Sequence, residues 1–289
     1  MKLLDATPAF LELYDREASL TLEDLEAYYS QFPNLFRDIY FNGHCPHTPE
    51  RLQAALERYP EHIDRMRRVI AQLPAILEEC AEAMSLYLNV EFAVDATMLV
   101  GAYGSNAWVS HSRKLYFAVE KLSDDPQHLR AIVTHELGHA FHFHMLAQAG
   151  MDWSKIKWDG HTSLYFEGIA TYLTLRLVPG LADWEYFSYG EEYGGEPWLN
   201  FCRAHEAEIR QRFTDDLPAY TFESEREWFR LSGGRHFGHI RLGYYLGTEF
   251  VKALTKTHTL HETMTFWARE ELPPKVHTWL ERMKKTPTA

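Results

Sequence analysis

The chain has 289 residues, of which 46% are hydrophobic, 14% aromatic and 24% charged, as in a folded globular protein and unlike a disordered or fibrous one. Its 29 basic and 41 acidic residues give a formal net charge of −12, which argues against nucleic acid or an anionic membrane as the main partner. The three cysteines are odd in number and far apart, so neither a disulfide framework nor a cysteine-based zinc module fits. A metal bound by this chain is therefore expected to have nitrogen and oxygen ligands.

The N-terminal segment has no targeting pattern. Acidic residues interrupt it before the apolar core of a signal peptide could form. No uninterrupted apolar run reaches the length of about 18 residues that a membrane span needs. We therefore expect a cytoplasmic protein without a membrane span.

Helical patterns fill residues 1–89. A capping box at Thr21–Asp24 opens one helix, and Thr48-Pro49 has the cap and first-turn proline of the next. A longer pattern runs from about residue 61 to residue 88, and we expect it to bend at Pro74. We interpret this N-terminal region as packing scaffold.

The character of the sequence changes near residue 90. Short segments rich in β-branched and aromatic residues follow one another, separated by turn residues. We expect them to form a small, mostly antiparallel sheet within residues 90–120. The segments are 90–94, 98–103, 106–111 and 114–120.

A helical pattern over residues 125–149 follows the predicted strands. Asp125 is placed to cap this helix, Pro126 stands in its first turn, and Gly150 ends it. Further helical patterns then continue over residues 162–289. We call the helix over 125–149 the active helix, because it carries the histidines described next.

The predicted fold class is α+β. A helical region, 1–89, precedes a domain, 90–289, in which the sheet packs on the active helix and more helices follow. No repeat, low-complexity tract or linker separates the two parts, so we expect one compact unit.

The string His-Glu-Leu-Gly-His at 135–139 carries the strongest chemical signal. On a helix, residues four apart point to one side, so the imidazoles of His135 and His139 converge on a spot that can be a metal. Glu136 lies beside that spot, where its carboxylate can accept a proton from a metal-bound water. The alternative is two hydrogen-bonded core histidines and a surface glutamate. The uncharged neighbours favour the metal site, because a charged glutamate is costly beside them without a task or a partner.

A catalytic zinc needs a third protein ligand and leaves its fourth position to water. The best candidate is Glu167, 28 residues beyond His139 (167 − 139) on another predicted helix. Gly168 and Ala170 are small, which allows this helix to approach the first one closely. Thr171 lies one turn beyond Glu167 on the same face, where its hydroxyl could steady the ligand.

Other residues compete with Glu167 for the third ligand position. A longer H-E-x-x-H-x-x-G-x-x-H motif would supply the ligand from the same helix, but His142 and Met145 stand at its last two fixed positions. His142 itself is expected to pack one turn beyond the metal. Glu167 could also be a structural acid in the first turn of its helix. The rivals in the loop after the active helix are Asp152, Asp159 and His161.

The H-E-x-x-H string and the later segment Glu-Gly-Ile-Ala-Thr-Tyr, 167–172, together resemble the gluzincin metallopeptidases, a group that includes thermolysin and the zinc aminopeptidases. The sequence is most similar to a bacterial family of predicted zinc-dependent proteases with an H-E-x-x-H … E-G-L-A-x-Y-F pattern. The similarity covers residues 90–178, with a weaker part over 238–254. It implies a zincin-like fold and a glutamate as the third zinc ligand. Thr171 stands where thermolysin has an acid, and the spacing to Glu167 is longer than in thermolysin.

The resemblance implies two further features. In this group an edge strand ahead of the active helix binds the substrate backbone, and Asn106 and Ala107 stand in the corresponding order. A tyrosine or histidine from the C-terminal helices stabilises the oxyanion of the reaction. The candidates for that role are, in order of preference, Tyr244, His239 and Tyr245, and His236 and Arg241 lie in the same segment.

These observations lead to one main functional hypothesis. Zn²⁺ held by His135, His139 and Glu167 activates a water, and Glu136 accepts its proton, so that a peptide bond is hydrolysed. The expected partner is a peptide or protein substrate. Two alternatives stay open, namely a zinc hydrolase acting on a small amide or ester, and a non-catalytic regulatory protein with structural zinc.

Overall fold

The computed structural model of the chain describes residues 1–17, 19–188, 194–269 and 271–281. The described residues form helices and one small sheet of four strands, which confirms the α+β class. The chain divides into two compact units, Met1–Glu136 and Leu137–Ala289. The boundary between these units lies inside the active helix, and the N-terminal strand joins the sheet of the first unit.

The first unit begins with one strand, continues with a run of helices, and then has the three other strands of the sheet before the active helix. Both predicted helix starts within residues 1–89 are confirmed: Thr21 and Asp24 form a reciprocal capping box, and the Thr48 hydroxyl accepts a hydrogen bond from the Arg51 N–H. The elements are β1 (Lys2–Asp5), α1 (Thr7–Arg16), α2 (Leu22–Ser30), α3 (Pro33–Leu35), a π-helix (Phe36–His44), α4 (Pro49–Leu88), β2 (Asp95–Leu99), β3 (Ala107–Val109), β4 (Leu115–Ala118), a 3₁₀ turn (Val119–Lys121) and α5 (Pro126–Gln148), which continues into the second unit.

Helix α4 runs without interruption where two helices were expected. Pro60 and Pro74 both lie inside its 40 residues. A proline removes one backbone donor and crowds the preceding turn. The buried face continues past both prolines, through Tyr59, Met66 and Leu77, so packing along the whole length holds the helix together.

The sheet is mixed, and the prediction that it is mostly antiparallel is wrong. Its strand order is β1-β2-β4-β3, in which β1 pairs with β2 and β2 pairs with β4 in parallel, and only β3 pairs with β4 in the antiparallel direction. The chain passes from β2 to the outer position of β3 and returns between them as β4. Alternating side chains reveal that a segment is a strand but not the direction of its partner, so the sequence pattern could not give this order.

The strands are shorter than the predicted segments. Residues 90–94 are not a strand, and the predicted strand over 98–103 ends at Leu99. The following loop is bonded to side chains instead: the Tyr40 hydroxyl accepts from the Ala102 and Gly104 N–H groups at 2.8 and 2.9 Å. Strand β1 was missed altogether, since four residues are too few to show a period.

The second unit is helical, as predicted for residues 162–289. It holds the rest of α5, a 3₁₀ turn (Trp153–Lys155), α6 (Gly160–Leu177), α7 (Glu185–Ser188), α8 (Gly195–Ala204), α9 (Glu206–Asp216), a 3₁₀ turn (Leu217–Ala219), α10 (Phe222–Phe229), α11 (Leu242–Leu254), α12 (Leu260–Thr265), a 3₁₀ turn (Phe266–Arg269) and α13 (Leu272–Glu281). Within the described ranges, no helix combines the length and the apolar character needed to cross a bilayer.

Candidate metal centre

Helix α5 forms where the sequence places it. The Asp125 carboxylate accepts hydrogen bonds from the N–H groups of Gln127 and His128 at 2.8 and 3.0 Å, which caps the first turn. Gly150, two residues after the helix ends, has a φ of +81°, which glycine adopts without strain. Both predicted helix ends are therefore confirmed, and the HELGH string lies well inside a regular helix.

Three side chains on α5 and α6 bring ligand atoms together. One nitrogen each of His135 and His139 and one carboxylate oxygen of Glu167 all lie within 4.8 Å of one another. His139 Nε2 is 3.4 Å from Glu167 Oε2. Nitrogen and oxygen ligands about 2.0–2.1 Å from a tetrahedral zinc lie about 3.3 Å apart, so this pair has the spacing of two ligands of one ion.

The centre is shielded from solvent but not closed. His135 is 5% exposed and Glu136 7%, whereas the side chains of His139 and Glu167 are 13% and 21% exposed. A cation bound by these ligands would place a positive charge beside the buried carboxylate of Glu136. The donor set and the burial therefore both fit a metal ion.

Small residues allow α6 to lie against α5. A β-carbon on Gly138 would come within 3.0 Å of the Ala170 α-carbon, so the two helices touch at these positions. The predicted role of Ala170 is confirmed. Gly168 has a different role, because a β-carbon there would meet the carbonyl oxygen of Gly247 on α11 at 2.3 Å. The close contact at Gly247 was not predicted. Gly243 and Gly247 lie four residues apart in a helical segment, and this spacing was a signal for close helix packing.

The rival ligands have other partners. Asp159 caps α6 by accepting from the N–H groups of His161 and Thr162, and Asp152 accepts from the Ser154 N–H. The ligand cluster that the described residues form is His135, His139 and Glu167, and none of these rivals belongs to it.

His142 lies one turn beyond the ligands, as expected. It is fully buried, and its ring packs against Tyr165 and Phe166 at centroid distances of 4.7 and 4.9 Å. Burial, together with the nearby His139, lowers the pKa of His142 to about 3. His142 is therefore a neutral packing residue at physiological pH.

Tyr244 is the oxyanion candidate that the structure brings to Glu167. It is 8% exposed on the first turn of α11. Burial raises the pKa of its hydroxyl, and the negative charge of Glu167 raises it further, whereas Arg241 acts in the opposite direction. The Arg241 guanidinium lies 3.9 Å from the centre of the Tyr244 ring. The hydroxyl therefore keeps its proton at neutral pH and can donate a hydrogen bond.

The other candidates for that role have partners elsewhere. The Tyr245 hydroxyl donates to Glu206 at 3.0 Å, and His239 stacks on Phe201 at a centroid distance of 4.0 Å. His236 lies 3.2 Å from an Asp216 oxygen. None of these contacts involves a ligand of the centre, so the catalytic role predicted for His239 stays without structural support.

Two further predictions concern supporting residues. The Thr171 hydroxyl is buried and has no hydrogen-bond partner in the described part of the chain, so its predicted role in steadying Glu167 stays a prediction. Asn106 and Ala107 lie where predicted, at the start of edge strand β3 in the first unit. The Asn106 carbonyl accepts from the Ala118 N–H at 2.8 Å, which fixes the register of this edge.

The sequence matches no family model. No curated protein matches the chain, and no solved structure does. The function of this chain is therefore inferred from the geometry and chemistry of the centre itself.

Proposed function

We propose that this chain is a zinc-dependent metallopeptidase of the gluzincin type, which hydrolyses peptide bonds. The observation that carries the proposal is the convergence of His135, His139 and Glu167 within 4.8 Å, with Glu136 next to His135 on the same helix. Two imidazoles and one carboxylate are the ligand set of many catalytic zinc sites, and they leave one coordination position for water. Zinc bound there would lower the pKa of that water and attract the carbonyl oxygen of the substrate.

Glu136 is the proposed general base. Its helical position turns its carboxylate to the side of the ligand pair, and it is 7% exposed, so bulk water competes little for its hydrogen bonds. The carboxylate accepts the proton of the attacking water and then passes this proton to the nitrogen of the leaving amine. A structural site has no use for a base at this position, which favours catalysis over a purely structural metal.

Tyr244 is the proposed oxyanion donor. Its hydroxyl stays protonated because burial and the Glu167 charge raise its pKa. The guanidinium of Arg241, the residue that precedes the helix, lies 3.9 Å from the centre of the Tyr244 ring. A hydrogen bond from this hydroxyl to the substrate oxygen strengthens as negative charge develops there, and so favours the transition state.

Strand β3 is the proposed substrate edge. It lies at the edge of the sheet. Of the two residues that flank it, Asn106 bonds to Ala118 of β4 and Ser110 to Lys114, the residue before β4. In an antiparallel pair, the backbone N–H and C=O groups of successive residues point alternately towards the partner strand and away from it. Those of Ala107 and Val109 therefore point away from β4. The Ala107 N–H donates to the Asn106 side chain at 2.9 Å, so an added peptide strand would bond to the Ala107 carbonyl and the Val109 N–H.

The test combines metal content with cleavage of a peptide library. The wild type should contain one zinc at the centre and cleave peptides, and Glu136→Gln should keep the zinc but lower kcat by about 10²–10⁴-fold, the usual contribution of a positioned base. Glu167→Ala should lose this zinc and the activity together. Glu91→Ala is the control, since it removes an exposed acid that belongs to neither the candidate centre nor the set of rival ligands.

Three results would contradict parts of the proposal. Full activity of Glu136→Gln would reject the base, and full zinc occupancy in Glu167→Ala would reject the third ligand. Cleavage of small amides or esters without any cleavage of peptides would identify a different zinc hydrolase with the same ligands.

A further inference from the structure

Two histidines of the second unit meet away from the candidate centre. His161 is the second residue of α6, and His277 lies on α13. Their Nε2 atoms are 3.1 Å apart. The side chain of His161 is 13% exposed, and His277 lies on the surface. The pair therefore offers two nitrogen atoms, close together, to a ligand that arrives from solvent.

Asp159 determines which nitrogen of His161 carries the proton. Its Oδ1 atom lies 3.2 Å from His161 Nδ1, and the same oxygen accepts from the His161 backbone N–H at 3.0 Å. A carboxylate beside Nδ1 holds the ring proton there, so the Nε2 atom of the neutral ring carries the lone pair. Histidines that bind metals in proteins commonly have a carboxylate at the other ring nitrogen, as His161 does.

The distance between the rings of His161 and His277 distinguishes two arrangements, a shared metal ion and a direct hydrogen bond. The two ring centroids are 4.9 Å apart. Two imidazoles that each hold one zinc at about 2.05 Å, with nitrogens about 3.1 Å apart, have their centroids about 4.8 Å apart. A straight N–H···N hydrogen bond of that length sets the centroids about 5.4 Å apart. The observed separation is therefore closer to that of two imidazoles sharing one ion than to that of a straight hydrogen bond.

We propose that His161 and His277 form a second transition-metal site, in which Asp159 orients His161. Imidazole nitrogen binds Zn²⁺ and Cu²⁺ in preference to Ca²⁺ or Mg²⁺, which bind oxygen. His161 also lines a cavity of about 400 Å³ together with Asp152, Lys157 and Trp267. This cavity leaves room for water or a small anion beside His161.

The consequence of this site is a link between two helices. His277 belongs to the last described helix, α13, and His161 to the first turn of α6, the helix that carries Glu167. An ion that binds both histidines in the folded chain stabilises the packing of α13 by mass action.

The test is equilibrium dialysis of the full chain against Zn²⁺ alone at pH 7.5, with the metal content of each variant measured. The variants are His277→Ala, which removes one ligand at the surface, and His261→Ala, which removes an exposed histidine of α12 as the matched control. We expect two zinc ions per chain in the wild type and in His261→Ala, and one in His277→Ala.

This experiment distinguishes the loss of zinc from the candidate centre from the loss of zinc from the second site. Glu167→Ala should lose the ion of the candidate centre and keep the ion held by His277, and the double variant should bind none. The inference is overturned if the wild type takes up only the ion that Glu167→Ala removes, or if His277→Ala retains two. If the candidate centre binds no zinc, one ion that depends on His277 still supports the second site.

Discussion

Gly168 of α6 and Gly247 of α11 touch backbone to backbone. A β-carbon on Gly168 would lie 2.3 Å from the Gly247 carbonyl oxygen, and a β-carbon on Gly247 would lie 2.3 Å from the carbonyl oxygen of Leu164. No side chain other than hydrogen fits at this crossing. Glu167 precedes Gly168 directly, and Tyr244 lies one turn before Gly247. The contact therefore brings the proposed third ligand, Glu167, and the oxyanion candidate, Tyr244, close enough for the charge of Glu167 to act on the Tyr244 hydroxyl.

Replacing Gly168 by alanine tests this crossing. The new methyl group must push the two helices apart, which typically costs about 1–3 kcal/mol for an overpacked core and outweighs the gain of about 1 kcal/mol from the better helix propensity of alanine. We expect a lower free energy of unfolding in urea and a lower kcat, since Tyr244 moves away from Glu167. Gly43→Ala is the control, because a β-carbon there meets nothing within 4 Å. Equal stability of the two variants would show that α11 does not pack as closely as described.

The neighbouring tyrosines of α11 provide a matched pair for the oxyanion role. Tyr244→Phe removes the hydroxyl beside Glu167, and we expect kcat for peptide cleavage to fall by about 10²–10³-fold with little change in KM. Tyr245→Phe removes a hydroxyl that bonds to Glu206 at 3.0 Å. This second variant should lower stability by about 1 kcal/mol and leave kcat near the wild-type value. If kcat fell in Tyr245→Phe and not in Tyr244→Phe, Tyr245 would be the oxyanion donor.

Glu120 gives the first unit a buried carboxyl with a defined partner loop. It is fully buried, and its two oxygens accept from the Gly101 and Tyr103 N–H groups at 3.0 and 3.1 Å. Burial raises the pKa of this carboxyl, although the backbone hydrogen bonds act in the opposite direction. In the pH range between its ordinary and its raised pKa, the folded chain therefore binds more protons than the unfolded chain.

The sign of the pH dependence follows from this difference. Where the folded state binds more protons, the free energy of unfolding falls as pH rises, so the contribution of Glu120 is present at low pH and is lost through the raised pKa. The stability of the wild type relative to Glu120→Gln should hence increase from pH 7 to pH 5. Asp124→Asn should show no such change between pH 7 and pH 5, because the hydrogen bond from Arg68 lowers the pKa of Asp124, so that the stability of the wild type relative to this variant falls only below about pH 4. Urea unfolding at several pH values measures both, and parallel trends would contradict the assignment for Glu120.

Local features could be predicted from the sequence because they depend on residues a few positions apart. The spacing of His135 and His139 decides that both face one side of a helix, and the caps at Thr21, Thr48 and Asp125 need only the next turn. The prediction of the sheet was wrong because the pairing of its strands depends on residues that are far apart in the sequence. The strand β1 and the parallel order of the sheet depend on pairing across about ninety residues, which no period in the sequence reveals.

The sequence by itself therefore determined the chemistry of the candidate centre: two imidazoles one helical turn apart, an adjacent carboxylate, and the absence of a cysteine site. The sequence also predicted Glu167 as the third ligand but left rivals open, and only the tertiary structure decided between them. It selects Glu167 because Ala170 lets α6 lie against Gly138 of α5. It also placed His161 beside His277, which are 116 positions apart. The physical reason is that side-chain type and helical period act locally, whereas the choice between chemically equal residues depends on how the helices pack.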